Sequence, residues 1–193
     1  MILVIDTSSA FSALALLNLD GTMMAEDIGA SGPGFDLPAR FRELTDGQTV
    51  TKVAVAVGPG SFTGLRVGVS FGLGVAIGLR VPIATLRTLH LQAARSPEPA
   101  LAVAEAGRGR VYYLAPGSEP ALGEPAELPR HLPMVGWLRA TTEEALLETG
   151  MRFRPESELR TFGAAAAIML ESAPEVAYGS LTLEYMQAFS TRA

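Results

Sequence analysis

The stretch Gly58-Pro59-Gly60-Ser61-Phe62-Thr63-Gly64-Leu65-Arg66-Val67-Gly68 decides how this chain is read. It follows the apolar run 53–57 and opens the most apolar segment of the sequence, residues 67–79. That order predicts a buried strand, a tight glycine loop and a helix over Phe62–Leu79. Gly60, Gly64, Gly68 and Gly72 recur every four residues, which sets them along one helix face. Each glycine costs a helix roughly 1 kcal/mol relative to alanine, so four in a row need an offsetting gain. Close approach of another backbone is the usual gain, either inside the domain or across to a partner that meets the bare face.

The chain has 193 residues, enough for one ordinary domain or two small lobes with a real core. Nearly half of it is apolar (48%), which excludes a disordered class. With 15 basic against 20 acidic residues the net charge is −5, unlike a stand-alone nucleic-acid binder; if RNA is involved, a partner supplies most of the positive surface. The absence of cysteine excludes a disulfide scaffold, a thiolate metal site and a cysteine nucleophile. Met1-Ile2-Leu3-Val4-Ile5 has no basic leader and runs straight into Asp6, so the cytoplasm is the expected compartment. The interval between Arg66 and Arg80 holds 13 residues, short of the about 20 that span a bilayer, so no membrane partner is expected.

The opening reads as a β-meander: a doubly covered strand at 2–5 ending on Asp6, then strands at Phe11–Leu17 and 22–28. A short helix is expected at Leu37–Leu44, a strand at 50–57, the main helix, a strand at 81–84, and a helix at 85–94 capped by Thr85. Ser96-Pro97-Glu98-Pro99 divides the chain into an N-terminal lobe, 1–96, and a smaller C-terminal lobe, 97–193. The second lobe partly repeats the first: an apolar strand at 101–104 reaches Glu105, Gly107-Arg108-Gly109 turns, and 111–115 returns. Residues 115–133 read as irregular, 134–138 as a strand, Thr141-Thr142-Glu143-Glu144 as a capping box, 156–172 as an alanine-rich helix, and 181–189 as a docking tail. Two lobes that each begin strand–acid–turn–strand suggest the duplicated actin-like ATPase architecture, an α/β fold.

At Ile5-Asp6-Thr7-Ser8 together with the GPGSFTGLRVG run of 58–68, the chain resembles the TsaB (YeaZ) family of tRNA threonylcarbamoyladenosine biosynthesis proteins. Weaker echoes are Thr88-Leu89, residues 104–113 and Tyr185. The resemblance implies an actin-like ATPase (ASKHA, ribonuclease H-like) fold with two βα lobes, the second reduced. It implies an inactive relative of the catalytic subunit TsaD, a pseudoenzyme that forms a homodimer alone and a TsaD heterodimer in function. TsaE would be the third, ATP-hydrolysing component, and tRNA would be met through the complex. Related chains have also been described as M22 glycoprotease-like. On this reading Phe62, Thr63, Gly64, Leu65, Arg66, Gly68, Val69, Gly72 and Leu73 form the partner interface. The chain departs from the family in its short 34–40 stretch without histidine and in Glu105 where an aspartate is usual.

Asp6, Thr7 and Ser8, with Gly58, Gly60 and Ser61, stand where an actin-like ATPase holds Mg²⁺ and phosphate. Two readings remain: a vestigial nucleotide site, or a turn that Asp6 caps for its own lobe. The loop lacks the Gly-Lys-Ser/Thr of a P-loop, and Glu105 is a poor second acid, which favours the cap and leaves ATP with Mg²⁺ as the only cofactor to consider. His90 and His131 form no His-x-x-x-His pair, so no catalytic metal centre is expected. Arg108 and Arg110 could touch RNA phosphates or stand solvated on a hairpin. The reading that follows is a non-catalytic scaffold that activates TsaD; the alternative is a stand-alone ATP-dependent phosphotransferase of the same fold.

Overall fold

The computed structural model describes residues 1–184. Among these, two sheets share one helix between them. The first sheet has the order β10-β5-β4-β1-β2-β3, built from β1 (Ile2–Asp6), β2 (Phe11–Leu17), β3 (Met23–Ala30), β4 (Lys52–Ala56), β5 (Ile83–Leu86) and β10 (Glu175–Val176). β2 runs antiparallel to β1, with Ile2 opposite Leu17 and Asp6 opposite Ala13, while β4 and β5 run parallel to β1. This is the ribonuclease H-like order, and the fold is of the actin-like ATPase type.

The strands alternate in the way a doubly covered sheet requires. Leu3, Ile5, Val53 and Val55 point to one face, against helices α1 (Leu37–Leu44) and α2 (Phe62–Leu79). Ile2, Val4, Ala13, Ala15 and Leu17 point to the other, against Leu91 of helix α3 (Thr88–Arg95) and Phe162 of helix α5 (Phe162–Leu170). At about 25 cal/mol per Å² of apolar surface, each fully enclosed Leu or Ile side chain contributes on the order of 2 kcal/mol to this layer.

The second sheet has the order β8-β7-β6-β9, from β6 (Leu101–Gly107), β7 (Arg110–Leu114), β8 (Ala121–Gly123) and β9 (Met134–Val135). β6 and β7 are antiparallel, β7 and β8 antiparallel, and β6 and β9 parallel, which repeats the first four strands of the first sheet. One face packs on Leu89 of α3, the other on Leu146 of helix α4 (Ala140–Glu148). Helix α3 therefore carries Leu91 to one sheet and Leu89 to the other. The chain then crosses back: α5 covers β2 and β3, and β10 pairs with β5, so residues beyond the expected boundary at 96 also complete the first sheet.

Several expected elements differ. Thr85 lies inside β5, because the parallel pairing with β4 runs on to Ala56 and Leu86, and α3 begins at Thr88 behind Arg87 without a side-chain cap. The 141–144 capping box does not form: α4 starts at Ala140 behind Arg139, and the Thr142 hydroxyl donates to Glu105 instead. The alanine-rich helix is shorter than 156–172. Glu156–Glu158 is a 3-10 turn tied to α3 by the Arg95–Glu156 ion pair, and Thr161 starts α5 by accepting from the Ala164 N–H. The 115–133 connection contains β8 and a further 3-10 turn at Pro125–Glu127. Of the expected docking tail, Leu181 and Leu183 pack on the α2-side core and the Glu184 N–H donates to Val57 O at 2.8 Å; Tyr185 and the rest lie outside the described residues.

Helix α2 has 18 residues and a mean hydropathy of 1.5, enough by length and composition alone to cross a bilayer. Its glycine face is fitted to its own sheet. A Cβ at Gly72 would overlap Val55 and one at Gly68 would overlap the Thr7 side chain, whereas a Cβ at Gly74 meets nothing within 4 Å. The two glycines should respond to alanine with opposite signs. Gly72→Ala is expected to lose about 1–3 kcal/mol by overpacking. Gly74→Ala should gain up to about 1 kcal/mol from helix propensity. Urea denaturation of both variants against the parent chain measures the difference.

Candidate functional site

The candidate site lies where the carboxyl end of β1 meets the amino end of α2. Gly58 has φ +115°, a conformation that favours glycine, and brings the chain off β4 into the loop. Ser61 then caps α2, its hydroxyl accepting from the Gly64 N–H at 3.3 Å. The Ser61 N–H donates to Ser8 O at 2.7 Å, and the Thr7 hydroxyl donates to Gly64 O at 2.6 Å. A Cβ at Gly60 would stand 2.9 Å from the Ser8 Cβ, and one at Gly64 would overlap Thr7 O. The helix start and the β1–β2 turn are thus in direct backbone contact, which only glycine at 60, 64 and 68 allows.

Asp6, Thr7 and Ser8 are all buried, with Asp6 and Ser8 fully so. One Asp6 carboxylate oxygen accepts from the Ser8 N–H at 2.8 Å; the other is enclosed without a partner. Burial pushes the Asp6 carboxyl above its ordinary range, opposed by the hydrogen bonding of Ser8. The Ser8 hydroxyl accepts from Thr88 at 3.1 Å, a third buried hydroxyl residue beside Thr7 and Ser8, which the sequence offered only as a weaker family echo. An aspartate with no solvent-facing surface offers a metal ion no approach, and the N–H groups of Ser8, Ser61 and Gly64 already have acceptors. These residues do not fit a Mg²⁺–phosphate site as they are arranged.

The corresponding acid of the second sheet is also engaged within its own lobe. Glu105 accepts from the Thr142 hydroxyl at 2.6 Å and from the Arg139 N–H at 3.2 Å, so its carboxylate stands at the amino end of α4. Among the described residues no three His, Asp or Glu side chains come together as metal ligands. His90 lies half-buried on α3, and burial followed by the charge of Arg87 lowers its pKa. His131 is exposed on the 115–133 connection.

The expected interface residues divide into two groups. Gly64, Leu65, Gly68, Val69 and Gly72 face the fold's own interior; the ladder meets Thr7, Ile5 and Val55 rather than a partner, which corrects the expectation for these five. Leu73 is half-buried in the same layer. Phe62, Thr63 and Arg66 are exposed, with the Arg66 guanidinium 3.7 Å from the Phe62 ring centre. They continue along the outer face through Val67 (50% exposed), Ser70, Gly74, Ile77 (51%) and Gly78. The signal for this second face was present in the sequence: Ser70, Gly74 and Gly78 form another four-residue ladder of small side chains, nearly half a turn from Gly68 and Gly72.

Because the folded Asp6 carboxyl has a raised pKa, it stabilises the fold fully only below the unfolded value, and that contribution is lost as pH rises through the folded value. Asp6→Asn keeps the acceptor for Ser8 and removes the buried charge. The variant should gain stability over the parent chain between pH 4 and pH 7, read by thermal melts across that window.

Three kinds of likeness bear on this arrangement. A family model described as TsaD, tRNA N6-adenosine threonylcarbamoyltransferase, matches residues 45–124, which contain the glycine loop and α2. The tRNA threonylcarbamoyladenosine biosynthesis protein TsaB of Bacillus subtilis (strain 168) is 36% identical over 126 residues, 58% of this chain and 52% of that protein. Its counterpart in Escherichia coli (strain K12) is 33% identical over 131 residues, 58% and 53%. The chain therefore spans about half the length of the curated relatives it matches. The solved structure of YeaZ from Pseudomonas aeruginosa shares the fold, with a TM-score of 0.71, 22% identity, and coverage of 96% of this chain and 99% of that one. In its sequence matches, and with a fold that agrees, the chain is similar to the TsaB (YeaZ) family.

Proposed function

We propose that this chain is a non-catalytic partner of TsaD in tRNA threonylcarbamoyladenosine synthesis. In this reading TsaD transfers the threonylcarbamoyl group to N6 of adenosine 37, and this chain holds it in a productive conformation. TsaE completes the assembly, and alone the chain pairs with itself. The observation that carries the reading is the closed contact between the α2 glycine ladder and the Asp6-Thr7-Ser8 turn. It occupies the place where an ATPase of this fold needs open phosphate and metal contacts, and so speaks against the stand-alone phosphotransferase.

The outer face of α2 is the surface we assign to the partner. Exposed Val67 and Ile77 flank the open glycines Gly74 and Gly78, so a second helix can approach closely there without displacing any side chain. Exposed apolar side chains gathered on one helix face gain from being covered. The interface is thus Phe62, Thr63, Arg66, Val67, Ser70, Gly74 and Ile77, and the inward residues of the same helix set its height above the sheet.

Val67→Glu and Ile77→Glu should each weaken association with TsaD from the same source at least tenfold, with the melting temperature of the isolated chain within a few degrees of the parent, since surface changes lie within about 0.5 kcal/mol. Co-elution at 1:1 by size-exclusion chromatography measures it, and unchanged co-elution of both variants would reject the outer face. ATP turnover by the purified chain that disappears in Asp6→Asn would instead favour the phosphotransferase.

A further inference from the structure

We propose that the end of the second sheet beside the inter-sheet seam is a contact site for single-stranded RNA, with Arg108, Arg110 and Arg139 on phosphates and Phe11 as a stacking platform. The proposal builds on the tRNA role above by naming the surface of this chain that would meet the RNA. The β6–β7 hairpin turns through Arg108 (φ +55°) and Gly109 (φ +72°). Positive φ at both central positions is a type I′ turn, whose first place ordinarily goes to Asn, Asp or Gly. An arginine there is unfavourable for the backbone, and its side chain is exposed at the tip.

Arg139 is fastened to the base of the same hairpin. Its N–H donates to Glu105, which precedes Arg108 by three residues, and its side chain is exposed. Arg110 closes the turn opposite Gly107. Among the described residues Arg108, Arg110 and Arg139 form no ion pair with a carboxylate, as is also true of Arg42, Arg80, Arg130 and Arg152; what sets the three apart is that they share one hairpin. Glu105, the acid of the same hairpin, is buried and already accepts from Thr142 and the Arg139 N–H. Glu143, one helical turn after Arg139, forms no ion pair with it. In a chain of net charge −5, three cations are thus placed by the backbone at one end of the second sheet.

The aromatic component comes from the first lobe. Ala10 N–H reaches Trp137 O at 3.5 Å, and the Phe11 ring lies 6.1 Å from the Trp137 ring, two residues before Arg139. Trp137 is buried, whereas Phe11, tilted 51° against it, is 39% exposed. Phosphate-binding cations beside an open aromatic face are the composition of a single-strand site, because an unpaired base can stack while its backbone is neutralised. A duplex hides its bases, and an acidic peptide has nothing to place on the ring.

The test is fluorescence anisotropy of a labelled single-stranded RNA and of an unmodified tRNA transcript, titrated with the full chain at low and moderate salt. The triple variant R108A/R110A/R139A is expected to bind both at least tenfold more weakly. It should also flatten the slope of log K against log salt by about 2, from roughly 0.7 per phosphate contact on a single strand. R42A/R130A/R152A removes the same charge from exposed arginines elsewhere and should stay within twofold. F11A should weaken the single strand and leave duplex RNA unchanged. Equal losses in both triple variants, or equal competition by polyglutamate, would overturn the proposal. The isolated chain is the reagent, so failure to pair with TsaD would reject the scaffold reading without deciding this one.

Discussion

Everything in the first lobe depends on one backbone contact: the glycine face of α2 lying against the turn that follows β1. Thr7 gives its hydroxyl proton to Gly64 O, Ser8 O takes the Ser61 N–H, and Gly68 leaves the space that the Thr7 side chain fills. Five glycines in one helix, three of them on this face, are unfavourable in isolation by several kcal/mol, about 1 kcal/mol each. The compensation is that a helix otherwise separated from the sheet by side chains sits directly on it. Helix, turn and strand then move as one body, and the polar turn is sealed.

That seal redirects the fold. Actin-like ATPases use the acid at the end of the first strand, and its counterpart in the second repeat, to address a ligand between the lobes. Here Asp6 addresses Ser8 and Glu105 addresses the start of α4. Both acids have become internal parts of their own lobes. What is left to face outward is the opposite side of α2 and the hairpin beyond Glu105, one apolar and one cationic. A scaffold needs surfaces of that kind more than it needs a cleft.

Much of this was legible in the sequence where the signal was local and periodic. Helix α2 and strand β2 have the bounds that the apolar run and its punctuation gave, and the repeat of strand, acid, turn and strand is real down to the pairing of β6 with β7. The direction in which the glycines face was not legible, since a ladder at spacing four states only that something comes close. Partners distant in sequence decided it: Thr7 and Val55 approach Gly68 and Gly72 through the sheet, not along the helix. Thr85 fails as a cap for the same reason, held in a strand by β4, and next to the expected cap Thr141 the Thr142 hydroxyl is drawn to a carboxylate 37 residues away. Local hydroxyl patterns predict caps well only when no tertiary acceptor competes.

The return of α5 and β10 to the first sheet has a consequence for how the molecule comes into being. The second sheet is an excursion between α3 and α5, and β5 waits for its outer neighbour until Glu175 and Val176 have been made. The apolar face carrying Val4, Ala15 and Leu17 can be met early by Leu91 of α3, but its cover is completed only by Phe162 of α5. A chain stopped before α5 would therefore leave part of that face exposed, and exposed apolar sheet surface is what makes partly folded chains prone to associate.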